Sequence, residues 1–182
     1  MGLDQGIDLS PLLPDLGGRP LVVLHAGARW ATKLWPAAHW AQLADWLSQE
    51  HGCQVAFTGS AADQGLLQAI ISLLHAPAAN LAGRTSLAQL AGVLRRARLA
   101  VTTDTGAMHL AAALGAPVVA LFGPTAPWRT GPFGPGHEVV RLAIKCSPCF
   151  KRRCPAPRCL TELSPALAQA ACEKVLLAGR TT

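Results

Sequence analysis

Short apolar runs alternate along the chain with longer segments in which apolar residues recur three and four positions apart. A short apolar run that ends in a polar, glycine-bearing turn predicts a buried strand of a parallel sheet. Apolar residues at helical spacing predict an amphipathic helix that packs one face against that sheet. The predicted strands cover residues 21–24, 55–57, 99–101, 117–122 and 138–141, with a short strand or connector at 80–83, and the helices have their apolar positions within 40–47, 66–74 and 87–94.

Local boundary signals support these helices. Ser86 followed by Gln89 forms a capping-box pattern, and Gly52 is typical of the residue that closes a helix. Ser164 before Pro165 predicts the start of a final helix. The alternation of strand and helix predicts an α/β fold, a Rossmann-like parallel sheet with helices on both faces.

The composition favours a single domain with a large core. Of the 182 residues, 51% are hydrophobic and 14% are charged, which suits a buried sheet and argues against disorder. Residues 1–19, rich in Pro, Gly and Asp, are expected to form a tail or linker before a domain over 20–182. No apolar segment is long enough to cross a bilayer, and the N-terminus has no basic or apolar signal region. We therefore expect a cytoplasmic protein.

The positive charge is concentrated in one segment. The chain has 16 Lys and Arg against 10 Asp and Glu, a net charge of +6, and a stretch without any acidic residue carries the excess. An anionic partner suits this stretch, and so does the alternative of a solvated surface loop. Phe150 is its one aromatic residue, so it lacks the aromatic interleaving of a nucleic-acid site. The basic residues are Arg141, Lys145, Lys151, Arg152, Arg153 and Arg158.

Four polar, glycine-bearing turns follow predicted strands. They cover residues 25–33, 58–60, 104–109 and 123–125. Because the strands of a parallel sheet end at one edge, these turns are expected to lie together there. Four such turns at one edge predict a ligand crevice.

The turn at 104–109 carries the chemistry most typical of a binding site. Gly106 at a helix start leaves backbone amides free for an anion, and Asp104 can accept hydrogen bonds from sugar hydroxyls. His109 lies one turn later, and Lys33 in the first turn suits a diphosphate. The alternative is that Asp104 or Thr105 caps the helix and His109 is a core residue. No Walker or Gly-x-Gly-x-x-Gly pattern is present.

Four cysteines lie close together within the basic loop 145–160. Their spacing, Cys-x2-Cys-x4-Cys-x4-Cys, is compatible with a structural zinc site or an iron–sulfur cluster, and equally with free thiols. Disulfides are disfavoured in a reducing compartment. Two further cysteines, Cys53 and Cys172, are expected to be ordinary buried residues. The four cysteines are Cys146, Cys149, Cys154 and Cys159.

Taken in order, these motifs resemble glycosyltransferase family 9, the bacterial lipopolysaccharide heptosyltransferases. The resemblance extends over residues 20–178 and includes the cysteine loop. The matching segments are His-Ala-Gly-Ala at 25–28, Lys-x-Trp-Pro at 33–36, Thr-Gly at 58–59, Leu-x-Gly-x-Thr-Ser-Leu at 81–87, Asp-Thr-Gly-Ala-Met-His-Leu-Ala-Ala-Ala-Leu-Gly-x-Pro at 104–117 and Leu-Phe-Gly-Pro-Thr at 121–125.

The resemblance implies the C-terminal, donor-binding half of a GT-B fold. The implied donor is ADP-heptose or a related nucleotide-diphosphate sugar, transferred with inversion. No metal or other cofactor is implied at the catalytic site, because a lysine and a helix end can neutralise the leaving diphosphate. The implied contacts are Lys33, Thr105 and Gly106 with the diphosphate, Asp104 with the sugar hydroxyls, and Gly59, Asp63, Thr85 and Ser86 with the nucleoside, while His109 is implied to line the same pocket.

The sequence departs from the family pattern in one respect that affects activity. It has no counterpart of the N-terminal half, which carries the acceptor site and the catalytic base, and no catalytic residue is assigned in this chain. Asp104 is the only carboxylate expected in the pocket, and it is already assigned to the donor. We therefore expect this polypeptide to bind the donor and to transfer sugar poorly or not at all without a separate base.

Three functions remain open at this point. The first is the donor domain of a heptosyltransferase, with an anionic lipopolysaccharide-core acceptor at the inner membrane face and an N-terminal partner domain. The second is a non-catalytic nucleotide-sugar binding module, or one half of a split enzyme. The third is a metal-binding interaction protein built around the cysteine loop.

Overall fold

A single parallel sheet of six strands forms the centre of the protein. The computed structural model describes residues 8–13 and 17–178. Neighbouring strands follow the order β3-β2-β1-β4-β5-β6, and every pair is parallel. The order reverses between β1 and β4, where ligands bind in open α/β sheets. The strands are β1 (Leu21–His25), β2 (Gln54–Thr58), β3 (Ala78–Asn80), β4 (Leu99–Thr103), β5 (Val118–Phe122) and β6 (Glu138–Arg141).

The helices cover both faces of the sheet, as the sequence predicts. Two single 3-10 turns, Ala31–Lys33 and Ala61–Asp63, precede the helices α1 and α2. The helices are α1 (Ala37–Gln49), α2 (Gln64–Ile71), α3 (Leu87–Arg96), α4 (Gly106–Ala113), α5 (Pro127–Thr130), α6 (Arg158–Thr161) and α7 (Pro165–Ala178). Among the described helices, none is both long and apolar enough to cross a membrane.

Two hydrophobic cores follow from the alternation of side chains along each strand. Val22 and Leu24 of β1 face the core formed with α1, α2 and α7. Leu21 and Val23 face the opposite core, formed with α3 and α4. Because both faces are covered, the four central strands β1, β2, β4 and β5 are almost wholly buried and mostly apolar, which explains the continuous apolar runs in the sequence.

Local signals in the sequence correspond to local structure. The Ser86 hydroxyl accepts a hydrogen bond from the backbone N–H of Gln89, whose side chain accepts one from the backbone N–H of Ser86. The predicted capping box is therefore confirmed. Gly52 follows α1 with a φ of 62°, a left-handed conformation that favours glycine. The α/β fold predicted from the alternating pattern is confirmed as well.

Part of the predicted tail belongs to the core. Leu9 and Leu13 are buried among residues of α3 and α4. Leu9 lies so close to α3 that a Cβ on Gly92 would be 3.2 Å from its Cδ1 atom. Residues 1–7 and 14–16 of the predicted tail lie outside the described residues, as do 179–182.

Candidate functional site

The carboxyl ends of β1, β2 and β4 surround an open cleft of about 830 Å³. Three of the four predicted turns contribute to its walls: 25–33, 104–109 and, through Ser60, 58–60. Ala62 and Asp63, which follow the predicted turn at 58–60, line the cleft as well. The fourth turn, at 123–125, is instead covered by the cysteine loop. Phe150 donates a backbone hydrogen bond to the carbonyl of Pro124, and the Ser147 hydroxyl donates one to the carbonyl of Gly123.

The structure brings most of the predicted donor residues together in this cleft. Gly59 lies just behind the wall, where a Cβ would be 3.0 Å from the Cβ of Asp63. Thr85 and Ser86 are not among the residues that line the cleft, and Ser86 caps α3. The predicted residues that do line it are Lys33, Asp63, Asp104, Thr105, Gly106 and His109.

Lys33 and Asp104 form an ion pair within the cleft. The Lys33 ammonium is 2.8 Å from Oδ2 of Asp104 and 3.0 Å from its backbone carbonyl oxygen. Both side chains are mostly buried, with 15% and 8% of their surfaces exposed. The Thr130 hydroxyl also donates to Oδ2 of Asp104, at 3.4 Å. Asp104 is therefore held by contacts from the β1 turn and from α5.

The N-terminus of α4 has no side-chain cap. Its N-cap residue, Thr105, makes no capping hydrogen bond, and its hydroxyl lies 3.0 Å from that of Thr102 instead. Asp104 is engaged with Lys33 rather than with the helix. The alternative that Asp104 or Thr105 merely caps this helix is therefore wrong. The first backbone amides of α4 remain available to an anion in the cleft.

Asp63 is a second carboxylate in the cleft, so the expectation that Asp104 is the only one is wrong. Its Oδ2 atom accepts hydrogen bonds from the backbone and the hydroxyl of Ser60, at 2.7 and 2.6 Å. The carboxylate lies directly over Gly27, where a Cβ would be 2.5 Å from it. A glycine at position 27 is therefore required for Asp63 to cross from the β2 turn to the β1 turn.

His25 lines the cleft, as expected of the turn at 25–33, although the sequence interpretation gave this residue no role. Its Nδ1 atom is 3.0 Å from the hydroxyl of Thr58, at the end of the neighbouring strand. Burial lowers the pKa of His25, and the nearby Asp63 carboxylate offsets part of that shift. The ring is therefore neutral at pH 7. The signal in the sequence was its position at the end of an apolar run, where side chains point toward the crevice.

Trp30 is another cleft residue to which the sequence interpretation gave no role. The Lys33 ammonium lies 4.6 Å from the centroid of its ring, and the Arg152 guanidinium lies 5.1 Å from it. Thr32 donates a hydrogen bond of 2.8 Å to the carbonyl of Lys151. The basic loop is therefore attached to the wall of the cleft.

The four cysteines of the loop are free thiols. Burial raises the pKa of Cys159, and so do the neighbouring Cys149, Cys146 and Cys154. Across residues 8–13 and 17–178, no group of three His, Cys, Asp or Glu side chains is arranged to hold a metal ion. The structure thus adds no support to the zinc or iron–sulfur alternative.

Comparison with known proteins gives one consistent result. The glycosyltransferase family 9 (heptosyltransferase) model matches residues 4–160. Lipopolysaccharide heptosyltransferase 1 of Pseudomonas aeruginosa is 36% identical to this chain, in an alignment that covers 98% of this chain and 54% of the relative. The solved structure of E. coli ADP-heptose lipopolysaccharide heptosyltransferase II has a TM-score of 0.79 and 32% identity, over 89% of this chain and 48% of that one.

A second solved structure agrees with the first. The family 9 glycosyl transferase of Veillonella parvula has a TM-score of 0.78 and 26% identity, over 88% of this chain and 46% of its own. The chain therefore spans about half the length of the relatives that it matches.

Proposed function

Since this chain belongs to glycosyltransferase family 9, we propose that its cleft binds the nucleotide-diphosphate sugar of a heptosyl transfer, with ADP-heptose as the donor. The observation that carries this proposal is the uncapped N-terminus of α4 beside a partly buried lysine. The relative of 32% identity is an ADP-heptose heptosyltransferase, which supports this choice of donor.

The diphosphate lies against the first amides of α4, at Thr105 and Gly106. The helix dipole adds about half a positive charge there, and Lys33 adds a full one. In the free protein Asp104 neutralises Lys33. When the diphosphate binds, the lysine shares its hydrogens between the phosphate oxygens and the Asp104 carboxylate. The cleft therefore neutralises the leaving diphosphate without a metal ion.

The sugar is held by Asp104, the acidic partner in the ion pair with Lys33. Asp104 keeps lone pairs free for sugar hydroxyls, because a carboxylate can accept about four hydrogen bonds. His109 lies one turn further along α4 and lines the same cleft. The nucleoside lies toward Asp63 and Gly59, where the β2 turn forms the other wall.

The chain binds the donor without supplying the general base. Both carboxylates of the cleft are engaged, Asp104 by Lys33 and Asp63 by Ser60. The Nδ1 atom of His25 is 3.0 Å from the Thr58 hydroxyl, and burial lowers the pKa of this ring, which makes it a weak base. A base must reach the acceptor hydroxyl with a free lone pair and a pKa near the working pH. We therefore assign the base, and the site for an anionic lipopolysaccharide-core acceptor, to protein residues other than those of this cleft. Transfer would invert the anomeric centre.

The second candidate function is a nucleotide-sugar binding module without catalysis. It is favoured by the same observation, that neither carboxylate in the cleft is free to act as a base. The two candidates share a binding site and differ in turnover alone.

Calorimetry and a turnover assay test both candidates on the chain as it is. ADP-heptose and ADP are expected to bind, and a uridine diphosphate sugar is expected to bind more weakly. ADP release from ADP-heptose in the presence of an inner-core acceptor is expected to be absent. Release of ADP would contradict the assignment of the base outside this cleft, and failure of ADP to bind would contradict the proposed function itself.

A further inference from the structure

Three exposed or partly exposed aromatic rings near the carboxyl edge of the sheet each have the guanidinium group of an arginine over the ring face. In every pair the guanidinium carbon lies within 5.4 Å of the ring centroid, within the range of a cation–π contact. The side chains come from the β1 turn, from α5, from β6 and from the basic loop. The pairs are Arg152 with Trp30, Arg129 with Phe150, and Arg141 with Trp128. We call these six residues, together with Lys151 and Arg153 on either side of Arg152, the arginine–aromatic surface.

Backbone hydrogen bonds fix this surface to the carboxyl edge of the sheet. The Phe150 amide donates to the carbonyl of Pro124, after β5. The Arg141 guanidinium donates to the carbonyl of Ser147, and Thr32 holds the carbonyl of Lys151 beside the cleft. The three pairs therefore belong to one continuous surface, and Trp30 belongs both to it and to the wall of the cleft.

The charges of this surface are not neutralised by acidic side chains. Between Arg141 and Arg158 the sequence has no Asp or Glu. Arg158 is paired with Glu162, but in the part of the chain that the structure describes, the cations of the arginine–aromatic surface form no ion pair. A cluster of unpaired Lys and Arg of this size is typical of a surface that binds anionic lipid headgroups.

The aromatic rings distinguish a bilayer from other polyanions. Trp128 is 68% exposed and Phe150 is 42% exposed, and both lie among the unpaired cations, so the rings can enter the interfacial layer of a bilayer while the cations bind its phosphates. Nucleic-acid bases stack on open ring faces. A guanidinium group already covers one face of each of these rings, which disfavours stacking of bases. An interfacial indole beside arginines suits the headgroup region of a membrane, where the ring is buried and the cation remains with phosphate.

We propose that the arginine–aromatic surface binds an anionic phospholipid bilayer, with its arginines and lysines on headgroup phosphates and Trp128 in the interfacial layer. Because Trp30 joins this surface to the cleft, binding brings the donor site to the membrane surface. Trp30 is the only residue of the arginine–aromatic surface that also lines the nucleotide cleft, so vesicle binding can be measured without nucleotide.

Co-sedimentation with vesicles tests the proposal on the intact chain. The chain is mixed with vesicles of phosphatidylcholine alone and of phosphatidylcholine with phosphatidylglycerol. Binding is expected only to the anionic vesicles and is expected to fall as salt rises. The Lys151→Glu/Arg153→Glu variant is expected to bind them at least about tenfold more weakly, since each basic residue near the surface contributes about fivefold. Trp128→Ala is expected to weaken binding while leaving its salt dependence unchanged.

The matched control reverses two exposed arginines at the other edge of the sheet. Arg19 precedes β1 and Arg96 ends α3, so Arg19→Glu/Arg96→Glu changes the net charge equally and is expected to retain vesicle binding. Thermal unfolding and ADP titration of each variant establish that it is folded. The proposal would be overturned if the two double variants bound anionic vesicles equally well, or if the wild type bound neutral and anionic vesicles equally well. It would also be overturned if the wild type bound a single-stranded oligonucleotide and not the vesicles.

Discussion

The ammonium of Lys33 lies 2.8 Å from the carboxylate of Asp104, and this pair joins the turn after β1 to the end of β4. Strands β1 and β4 are neighbours at the point where the strand order reverses. The pair therefore places one cation and one anion next to the free amides of α4. In the proposed function the lysine faces the phosphates and the carboxylate faces the sugar.

Asp104→Ala is expected to change the preference between donor and product. ADP-heptose loses the hydrogen bonds between its heptose and a carboxylate, which are worth about 1.5–3 kcal/mol, whereas ADP has no heptose and loses none of them. The affinity for ADP-heptose is therefore expected to fall at least about tenfold relative to that for ADP. Calorimetric titration with both ligands measures the ratio. An unchanged ratio would place the sugar elsewhere.

Gly27→Ala is expected to destabilise the protein. A Cβ at this position would be 2.5 Å from the Asp63 carboxylate, and relieving such overpacking costs about 1–3 kcal/mol. Urea unfolding measures the change in the free energy of unfolding. The control is Gly65→Ala in α2, where nothing lies within 4 Å of the new Cβ, so this change is expected to be neutral or stabilising by up to about 1 kcal/mol.

A double variant identifies the cause of that destabilisation. The atoms nearest to the new methyl group belong to the Asp63 carboxylate, so in an Asp63→Ala background Gly27→Ala is expected to cost far less. This non-additivity is the signature of two residues in direct contact. Strictly additive effects would show that the glycine is required for another reason.

The stability of the protein is expected to depend on the titration of His25. Burial lowers the pKa of this residue in the folded protein, whereas in the unfolded chain it is about 6.5. The unfolded chain therefore takes up the proton first as the pH falls. The contribution of the neutral ring is present above about pH 6.5 and is lost progressively toward the folded-state pKa.

His25→Gln isolates this contribution. Urea unfolding at a series of pH values is expected to show a smaller loss of stability between about pH 6.5 and 5 in the variant than in the wild type. Parallel curves for the two proteins would contradict a neutral, buried His25.

Removing metal ions is expected to leave nucleotide binding unchanged. Lys33 and the α4 amides supply the positive charge that a divalent cation supplies in other nucleotide sites. Titration of ADP before and after treatment with a chelator, in buffer with and without added Mg²⁺, measures the effect. A loss of affinity on chelation would show that the diphosphate is bound through a metal ion.

The sequence predicts what depends on local patterns. The strands follow from apolar runs such as residues 21–24, and the start of α3 follows from Ser86 and Gln89, which interact within one turn. Lys33 and Asp104 were placed at the same edge because parallel strands end together. The fold and one side of the cleft could therefore be predicted.

Contacts between distant segments could not be predicted in the same way. The requirement for Gly27 depends on the path of the Asp63 side chain across two turns. The burial of Leu9 depends on its fit against Gly92 of α3, which a segment rich in Pro and Gly does not signal. The β5 turn was expected in the cleft, but the basic loop covers it through bonds to the carbonyls of Gly123 and Pro124.

The most direct test of the proposed site is the affinity of ADP for Lys33→Met, which keeps the unbranched stem of the side chain and removes its ammonium group. The variant is expected to bind ADP about tenfold to a hundredfold more weakly, as expected for loss of a charged hydrogen bond. The double variant Lys33→Met/Asp104→Asn, which leaves no unpaired carboxylate, is expected to remain weak. The control is Lys174→Met in α7, whose partner Glu138 is 3.7 Å away on the exposed surface, and it is expected to bind ADP as the wild type does. Equal ADP affinity in the wild type and in both Lys33 variants would contradict the account.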